Sequence, residues 1–487
     1  MVKVKSKYNI VKQVKRCILL VTREDIPLKK GKVNKKWYSC GEDDWISGSK
    51  YVNVAFGTLT VIITVALIIQ IYYGDYQVVP HGSVASDSLE CSKIGTSVLK
   101  NEGNSIDAAI ATAFCLNVAT PHLTSLDAEG QILIYNHRKK NPPVVITFSH
   151  NIVESKHLPT SVLGLAYIHK KFGFLPWRDL IYPAVNLARN GILIPKQLVQ
   201  AVAQTKNYDV FGPLEAGQLL VQSDLATTLE HIANMSESVL HSYLEELNET
   251  ALIETVIATK FMNFDIYVPQ TDATVGQFLV DALNIFQTMN LSETVFSDPV
   301  YAHELVDVVQ YYQHKSENST YRMFHEGTIS NIAVMDTDDN YVSLVTGLYQ
   351  LFGSGERTHL GYIEDIYSNK MSSRMPVLIT DSRYVCERRY VFGVNNLGSA
   401  LQIISNLLLH KENVTEAIEA PRLYIGNWTV GFEGSHLPSF PEEIFEHSPW
   451  KSNLVPEPYQ SINIVVKYKD ELSSHSDSRG GGIASRF

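Results

Sequence analysis

Cysteine and the common cofactor motifs are scarce in this sequence of 487 residues. Five cysteines are too few for the disulfide-dense scaffold of a small secreted module, and none has the spacing of a zinc finger or ribbon. The sixteen histidines show no HExxH or comparable ligand spacing, and the chain has neither a P-loop nor a strand-linked GxGxxG. We therefore expect no metal and no cofactor.

Positive charge is also scarce. The chain carries 41 Lys and Arg against 51 Asp and Glu, a net charge of −10 that argues against nucleic-acid binding through a general basic field. The first fifty residues are the exception, with 13 Lys and Arg against 5 Asp and Glu. With 45% apolar residues, the chain is too apolar to be disordered and long enough for one large domain or several ordinary ones.

A long uncharged run follows the basic segment. Residues 52–73 read VNVAFGTLTVIITVALIIQIYY, and as a helix this run is about 33 Å long, enough to cross the hydrocarbon core of a bilayer. The alternative is a buried core helix, although such helices seldom run so far without a polar position. We predict a transmembrane signal-anchor helix over 52–73, preceded by a basic cytosolic tail over 1–51.

The flanks of this run predict its orientation. Lysines cluster before it and Asp75 follows it, so the positive-inside rule places the N-terminus in the cytosol and the following ectodomain outside. All six N-x-Ser/Thr sequons lie after the run, at Asn234, Asn248, Asn290, Asn318, Asn413 and Asn427. We predict a single-pass type II membrane protein with an extracellular or lumenal, glycosylated ectodomain.

Three of the cysteines lie in the predicted ectodomain, where the compartment is oxidising. Between Cys91 and Cys115 the pattern predicts two short helices around a turn at 102–104, with Ser105 as the N-cap of the second. A helical hairpin of this kind can bring the two cysteines together as a disulfide. Cys386 is left over, either as a buried thiol or as an intermolecular bridge.

Helical patterns dominate residues 85–300, and strand patterns dominate the chain from 328 onward. The predicted helices cover 177–190, 197–206, 223–234, 237–246 and 274–289. A turn at 336–340 between strand patterns at 328–336 and 341–347 predicts a hairpin. Further strands are predicted at 376–381, 389–394, 428–433 and 461–468. This order predicts an α+β protein layered around one large core.

Several blocks of the sequence resemble the gamma-glutamyltransferase (glutathione hydrolase) family, and they occur in the family's order. They read VALIIQIYYGD, NSIDAAIA, LPWRDLIYPAVNLARNG, EGTISNIAVMDTDDNYVSL, LFGSG, SSRMP, EAPRL and SDSRGGG. Agreement extends over most of residues 62–487. The resemblance implies an N-terminal-nucleophile hydrolase fold, an αββα sandwich in which two sheets lie between layers of helices.

The resemblance also implies a precursor that cleaves itself before a threonine, which here is Thr328 in Glu326-Gly327-Thr328. Cleavage would yield a helix-rich, large-subunit-like ectodomain over 75–327 and a strand-rich, small-subunit-like one over 328–487, associated as a heterodimer. A free α-amine would place a general base beside the weakly nucleophilic hydroxyl, and Gly327 would allow a strained turn before it. Without the resemblance, Thr328 would be an ordinary strand threonine.

By resemblance, Thr328 takes the gamma-glutamyl group from glutathione or gamma-glutamyl peptides and passes it to water or an acceptor amine. The implied substrate-binding positions depart from the family pattern. The arginine that binds the α-carboxylate falls on Ser149, and the paired oxyanion-hole glycines fall on Asn396 and Leu397. The pair that contacts the α-carboxylate is retained as Ser372-Ser373.

The acidic residues that hold the substrate α-amine in the family fall near Tyr367 and Lys370, with Glu364 and Asp365 close by. Lys370 would repel that amine, whereas a small shift in register would restore an acid.

Two further positions depart from the family pattern. The glycine-rich loop reads SLDAEG at 125–130, and the second threonine falls on Gly347.

Two hypotheses follow. The chain is either an active glutathione hydrolase and transferase, or a catalytically inactive pseudoenzyme of the same fold that acts as a membrane-anchored binding protein. A plain adhesion or receptor ectodomain of another fold is disfavoured by the order of the blocks.

Overall fold

The computed structural model describes residues 44–73, 81–151, 158–245, 247, 252–270, 275–289, 298–317, 324–368, 371–381, 383, 387–426, 428–434, 445 and 449–487. Helix α1 belongs to one compact unit and the described residues from 81 onward to another. Some of the predictions above concern residues outside these ranges, namely the tail before residue 44, Asn248, Asn290, Asn318, Lys370, Cys386 and Asn427.

Helix α1 spans Asp44–Tyr73 and so begins eight residues before the predicted anchor. Its stretch Tyr51–Ile69 is long and apolar enough to cross a membrane. The mean hydropathy of this stretch is 2.4, and it is exposed. The hydroxyls of Thr58, Thr60 and Thr64 donate to carbonyl oxygens one turn earlier at 2.9, 2.8 and 2.7 Å. These three hydroxyls are thus satisfied within the helix, as an apolar environment requires.

The second unit combines helices and strands along its whole length. Its helices are α2 Leu89–Lys100, α3 Ser105–Ala119, α4 Thr160–Phe172, α5 Trp177–Asn190, α6 Lys196–Thr205, α7 Tyr208–Phe211, α8 Ser223–Ala233, α9 Glu237–Glu245, α10 Val275–Thr288, α11 Pro299–Glu317, α12 Leu397–Ile404 and α13 Val414–Glu419. A π-helical turn, Ser405–Leu409, continues α12.

Most of the strands are short. They are β1 Ser83–Ala85, β2 Glu129–Asn136, β3 Val144–Phe148, β4 Ile192–Leu193, β5 Leu219–Leu220, β6 Ile253–Phe261, β7 Phe264–Gln270, β8 Phe324–His325, β9 Ser330–Met335, β10 Asn340–Gly347, β11 Met371–Ser372, β12 Met375–Asp381, β13 Arg389–Val394, β14 Leu423–Gly426, β15 Thr429–Phe432, β16 Lys451–Leu454, β17 Ile464–Tyr468, β18 Glu471–His475 and β19 Ser485–Arg486.

Twelve strands form one sheet in the order β18-β17-β13-β12-β7-β6-β3-β2-β10-β9-β1-β19. The two halves of this sheet meet at β6 and β3, where the pairs Val145–Glu254 and Ile146–Ile253 are in register. The sheet folds over at this junction, because β12 and β13 of one half lie against β2, β9 and β10 of the other. The result is two stacked sheets.

Apolar cores fill the space on both sides of each sheet. Between the sheets lie Ala85, Leu133, Val145, Ala333, Met335, Tyr341, Leu378, Val391, Val465 and Leu472. One outer core joins α2 to α5, α8 and α9 to β2, β3, β9 and β10, and the other joins α10, α11 and α12 to β7, β12, β13 and β17. The four-layer helix–sheet–sheet–helix arrangement implied by the resemblance is therefore present.

Alternation along β2 illustrates how a strand serves two cores. Ile132 and Ile134 point into the outer core, whereas Leu133 points into the core between the sheets. Such a strand is apolar on both faces and resembles a buried helix in sequence. The expectation that helices dominate residues 85–300 is therefore incomplete, because β2, β3, β6 and β7 also lie there.

The other predicted elements are mostly confirmed to within two residues. Helix α5 ends at Asn190, where Gly191 takes a positive φ of 89°. Helices α6, α8, α9 and α10, the hairpin of β9 and β10, and strands β12, β13, β15 and β17 are present. Helices α4 and α11 were not predicted.

The helical hairpin of α2 and α3 carries the disulfide between Cys91 and Cys115. Asn104 is the N-cap of α3, because its side chain accepts from the N–H groups of Ile106 and Asp107. The prediction that Ser105 is the N-cap is therefore wrong by one residue. A crosslink over this sequence separation stabilises the fold on the order of 3 kcal/mol.

The SDSRGGG block near the C-terminus is packed into the fold. The carboxylate of Asp477 accepts from Arg422 at 2.6 Å, and the guanidinium of Arg479 forms two bonds, of 2.5 and 2.6 Å, with Glu433. All four side chains are buried. These paired charges hold the block against Glu433, the residue that follows β15, and β19 then pairs with β1.

We expect two glycine-to-alanine changes to differ in their effect on stability. A Cβ on Gly164 would lie 2.3 Å from Cγ of the buried Phe148, whereas one on Gly398 would meet nothing closer than 3.5 Å. Gly164→Ala should therefore destabilise by about 1–3 kcal/mol. Gly398→Ala should be neutral or stabilise by up to about 1 kcal/mol, since both glycines are helical. Thermal unfolding of the detergent-solubilised full chain measures both, and equal melting temperatures would contradict the packing between α4 and β3.

Candidate active site

Thr328 lies two residues before β9 and is 7% exposed. Its hydroxyl donates to the carbonyl oxygen of Leu123 at 2.7 Å and accepts from the N–H of Leu348 at 2.9 Å. Its own N–H donates to the carbonyl oxygen of Leu348 at 3.0 Å. Since Leu123 follows α3 and Leu348 follows β10, backbone groups of two other segments fix the position of the hydroxyl.

Two glycines make room for this arrangement. A Cβ on Gly347 would lie 2.1 Å from the carbonyl oxygen of Thr328, and one on Gly327 would lie 2.7 Å from that of Leu348. Either Cβ would also come within 2.6 Å of Nη1 of Arg374. The second threonine that the family resemblance implies has no room at position 347 while the guanidinium lies there.

The guanidinium of Arg374 is buried beside Thr328. Its Nη1 donates to the carbonyl oxygens of Thr328 and Leu348 at 2.8 and 3.0 Å, and its Nη2 lies 3.8 Å from Oε2 of Glu129. Burial lowers the pKa of Arg374, and the negative charges of Glu129 and Asp365 oppose that shift. Because a guanidinium pKa starts at about 12 or above, the group keeps its charge at neutral pH.

His150 joins two carboxylates behind this guanidinium. Its Nε2 lies 2.9 Å from the carbonyl oxygen and 3.5 Å from the carboxylate of Asp127, and its Nδ1 lies 3.2 Å from Oε1 of Glu129. Burial by itself lowers the pKa of His150, but the hydrogen bonds and charges of Asp127 and Glu129 outweigh it and raise the pKa to about 10. His150 is therefore an imidazolium at neutral pH.

Asp365 completes the group of acids. Its carboxylate accepts from the N–H groups of Tyr349 and Ile366 at 2.7 and 2.8 Å, and its own N–H donates to Asp127 at 3.2 Å. Burial raises the pKa of Asp365 to about 6, against the opposing effect of these hydrogen bonds. We call Asp127, Glu129 and Asp365 the acid cradle.

Two cavities meet at Gly327. The larger has a volume of about 720 Å³, and Thr328 lies on its wall. The smaller measures about 10 Å³, space for a single water at most, and its lining includes Glu129, Asp365 and Arg374. Because Gly327 lines both, the backbone at the predicted cleavage point separates the larger cavity from the acid cradle.

The predicted serine pair lies on the cradle side of Gly327. Ser372 lines the smaller cavity, and its hydroxyl accepts from the N–H of Arg374 at 3.2 Å. Ser373 is buried and donates to the carbonyl oxygen of Asn395 at 2.5 Å. Ser372 and Thr328 thus share a partner, because Arg374 bonds to the Ser372 hydroxyl through its backbone N–H and to the Thr328 carbonyl oxygen through its guanidinium.

The other predicted binding residues lie further out. Ser149 follows β3 and is half-buried, and its neighbour His150 enters the cradle network. Asn396 caps α12 with its side-chain oxygen and lies 3.4 Å from Glu326, and Leu397 is buried as the first residue of α12. Among the described residues that line the two cavities, Ser149, Asn396 and Leu397 are absent.

The positions compared with the family's amine-binding acids separate into two groups. Tyr367 is exposed, with its ring centroid 4.3 Å from that of His150, and Glu364 is also exposed. Asp365 instead lies in the cradle, 3% exposed. Of these positions, Asp365 is the one that lines the smaller cavity together with Gly327.

Two of the predicted glycosylation residues are described, and both are exposed. Asn234 ends α8, and Asn413 caps α13 through an oxygen that accepts from the N–H of Glu416 at 2.9 Å. A glycan on the side-chain nitrogen of Asn413 would leave this cap intact.

Sequence reasoning missed the role of four charged residues. Arg374 lies within the SSRMP block, and Asp127 and Glu129 lie within the loop at 125–130, but neither pattern signals an ion-pair network. His150 follows Ser149 without any distinguishing spacing. Within the described residues, no group of three or more His, Cys, Asp or Glu side chains is arranged to hold a metal ion.

Comparison with known proteins finds relatives over most of the chain. The family model for gamma-glutamyltranspeptidase matches residues 91–242. Glutathione hydrolase 7 from Bos taurus and from Homo sapiens are each 24% identical to this chain over 503 aligned positions, covering 79% of it and 75% of the relative. The glutathione hydrolase proenzyme of Pseudomonas aeruginosa is 32% identical over 182 positions, or 31% of this chain and 33% of that protein.

A solved structure supports the fold independently. Cephalosporin acylase from Bacillus halodurans superposes with a TM-score of 0.65 and 18% identity, covering 84% of this chain and 96% of that one. At this identity the likeness concerns the fold alone. The αββα fold of the N-terminal-nucleophile hydrolases is confirmed.

The charge on His150 makes the stability of the cradle depend on pH. The pKa of His150 is about 10 in the folded chain and about 6.5 in an unfolded one, so its stabilising contribution is complete below about pH 6.5 and is lost as the pH rises through about 10. His150→Gln should therefore lower the melting temperature most below pH 6.5. The difference from wild type should shrink toward pH 10 in thermal unfolding followed by circular dichroism.

The exposed His241 on α9 supplies the matched control. His241→Gln should change the melting temperature little at any of these pH values. If the difference in melting temperature between His150→Gln and wild type stayed constant up to pH 10, a charged His150 would be refuted.

Proposed function

Because this chain belongs to the gamma-glutamyltransferase family, we propose that it is a self-processing hydrolase and acyltransferase with Thr328 as its nucleophile. Its proposed substrates are glutathione and other gamma-glutamyl amides. The observation that carries the proposal is the position of the Thr328 hydroxyl, fixed by the backbone of Leu123 and Leu348 on the wall of a cavity of about 720 Å³.

Self-cleavage needs only groups that the chain itself supplies. The hydroxyl oxygen of Thr328 attacks the carbonyl carbon of Gly327, the amide C–N bond breaks, and the amide nitrogen takes the hydroxyl proton. Water then hydrolyses the new ester, which releases the carboxylate of Gly327 and restores the hydroxyl. The products are residues 1–327 and 328–487.

The two products would remain together as a large and a small subunit. Strands from both sides of the cleaved bond alternate in the sheet, since β10 pairs with β2 and β12 pairs with β7. Their separation would expose the apolar cores on both faces of the sheet. The proposed mature form is therefore a heterodimer.

In the proposed catalytic cycle, the freed α-amine of Thr328 takes the hydroxyl proton as the oxygen attacks the gamma-carbonyl carbon. The proton passes to the leaving amine, and an ester with Thr328 remains until water or an acceptor amine releases it. An α-amine has an ordinary pKa of about 7.7–8.0. The nearby charge of Arg374 favours its neutral, basic form, because a like charge disfavours protonation.

A second candidate function is that of a pseudoenzyme, a membrane-anchored binding protein that does not turn over substrate. It is favoured by Ser149, which supplies one neutral hydroxyl where the family resemblance implies an arginine. Loss of a bidentate guanidinium contact weakens carboxylate binding substantially. Asn396 and Leu397, at the implied oxyanion-hole positions, also lie outside the lining of both cavities.

We further propose that the protein is a single-pass type II membrane protein with residues 75–487 on the extracellular or lumenal side. Helix α1 supports this placement through its apolar stretch Tyr51–Ile69, and the basic residues before it support the orientation. Glutathione and gamma-glutamyl peptides outside the cytosol would then be its substrates.

Expression of wild type and variants in cells tests the proposed cleavage. Wild type should run under reducing, denaturing conditions as two fragments that meet at residues 327 and 328, and Thr328→Ala should run as one. Thr328→Ser should still cleave, because it keeps the hydroxyl. Thr337→Ala, at an exposed threonine on the turn after β9, is the matched control and should cleave like wild type.

A wild-type chain that stays whole would exclude covalent catalysis at Thr328. If the chain is cleaved, release of a chromophoric amine from a gamma-glutamyl anilide measures turnover. Thr328→Ala should lower that rate by at least about a thousandfold. Equal rates for the two proteins would leave the binding function as the surviving candidate.

Glycosylation tests the proposed topology. Treatment with an endoglycosidase should shift the mobility of the protein, and Asn413→Gln should remove one step of that shift, because Asn413 is exposed in an N-x-Thr sequon. Asn136→Gln, at an asparagine outside any sequon, should leave the number of steps unchanged. A wild-type chain without any shift would contradict the proposed orientation.

A further inference from the structure

An arginine occupies the place beside the nucleophile where carboxylates would receive a cationic ligand. Arg374 is 5% exposed, and its guanidinium bonds to the carbonyl oxygen of Thr328 at 2.8 Å. On its other side lies the acid cradle, with Glu129 at 3.8 Å. The cradle thus already contains a positively charged group that belongs to the chain.

The guanidinium leaves almost no free space. The cavity between Gly327, Ser372 and the cradle measures about 10 Å³, which admits one water and excludes any larger group. Gly327 and Gly347 provide the room that the guanidinium takes, since a Cβ on either would lie 2.6 Å from Nη1. The two glycines at positions 327 and 347 are therefore matched in size to the large side chain of Arg374.

The cradle is also nearly compensated in charge. Its three carboxylates face two buried cations, the imidazolium of His150 and the guanidinium of Arg374. The oxygens of Asp365 further accept two backbone N–H bonds. Although three carboxylates and two cations leave a net charge of −1, each carboxylate already has partners, so a third cation would have to displace existing bonds.

This filling matters for the acyl group of a substrate. In a gamma-glutamyl group, four single bonds separate the reacting carbonyl carbon from the α-nitrogen, a reach of at most about 5 Å. With its carbonyl carbon at the hydroxyl of Thr328, such a substrate brings its ammonium into the neighbourhood of Arg374. Two cations at this range repel each other in a site of low dielectric constant.

The larger cavity offers different chemistry. Its described lining carries four carboxamides, on Gln204, Asn207, Gln350 and Gln460, the ammonium of Lys206, and the carboxyl of Glu326, whose pKa burial raises to about 7. Carboxamides and an ammonium suit amide and carboxylate groups. A free ammonium on the substrate would compete with the ammonium of Lys206 for the carboxamide oxygens of the lining.

We propose that Arg374 determines acyl-group specificity by filling the acid cradle, so that the site favours amides of dicarboxylic acids without an α-ammonium over the corresponding gamma-glutamyl amides. This inference rests on the proposed function in taking Thr328 as the reacting centre. It ranks the substrates of that site, with gamma-glutamyl amides accepted less well than amides without an α-ammonium, because it concerns the group transferred and not the chemistry of transfer. Arg374 acts here through its position and charge and takes no part in bond making.

Two anilides that differ only in the α-amine test the proposal directly. Glutaryl 4-nitroanilide lacks the amine that gamma-glutamyl 4-nitroanilide carries. For the full-length wild type in detergent, kcat/KM should favour the glutaryl substrate by about tenfold or more, a factor that corresponds to about 1.4 kcal/mol. A wild-type preference for the gamma-glutamyl substrate would overturn the proposal.

Variants at position 374 show whether the guanidinium is responsible. Arg374→Met removes the charge and should lower the ratio of glutaryl to gamma-glutamyl kcat/KM by about tenfold, mainly through KM for the gamma-glutamyl substrate. Arg374→Lys keeps a cation and should retain the wild-type order. A ratio that is the same in all three proteins would overturn the proposal, whereas a purely structural role would lower both rates together.

Binding measured without turnover separates this inference from the proposed function. In Thr328→Ala, calorimetry should show tighter binding of glutarate than of L-glutamate, and adding Arg374→Met should reverse that order. An unchanged order, or no binding of either ligand to either protein, would overturn the role of Arg374. If the wild-type chain never cleaves itself but Arg374→Met still reverses the order of affinities in Thr328→Ala, the role of Arg374 is supported and the proposed catalytic cycle is refuted.

Discussion

The hydroxyl of Thr328 is held between the backbone of Leu123 and that of Leu348, and the rest of the site depends on this contact. Leu348 follows the last residue of β10, whose pairing with β9 fixes its distance from Thr328. Leu123 follows α3, which packs against both strands. A slip of one residue between β9 and β10 would turn the hydroxyl to the other face of the sheet. The layered core therefore determines the placement of the Thr328 hydroxyl.

A second constraint is the burial of charge next to Thr328. Arg374 and His150 lie among three carboxylates with little exposure, an arrangement that is stable only when each ion has partners. The same pairing means that another cation would have to displace existing partners of the cradle. In the proposed function the two roles are separate, because backbone contacts position the Thr328 hydroxyl whereas the guanidinium of Arg374 is proposed to set selectivity.

Local sequence patterns predicted much of the second unit. The N-terminal boundary of α5, the hairpin of β9 and β10 and the α2–α3 hairpin follow from apolar periodicity, turn residues and caps that act within a few residues. Strands β2 and β3 were missed because both of their faces are buried. The acid cradle was missed for another reason. Asp127 and Glu129 lie more than 230 positions before Asp365 in the chain, and only the fold brings such distant residues together.

The family resemblance singled out Thr328, which remains a prediction, but it gave no account of Arg374. The position was read as part of the SSRMP block, and the space it fills depends on Gly327 and Gly347, which lie up to 47 positions away in the chain. Such complementarity in volume is a property of packing and leaves no periodic signal. Charge and size at a buried position have to be evaluated together with the neighbours that surround it.

The central claim is that Thr328 heads a mature polypeptide and carries a free α-amine. N-terminal sequencing combined with intact-mass measurement of the purified full-length protein tests it most directly. The account predicts a chain that begins Thr-Ile-Ser-Asn, with a mass equal to residues 328–487 plus any attached glycans. A single mass for residues 1–487, with the bond between Gly327 and Thr328 intact, would contradict it.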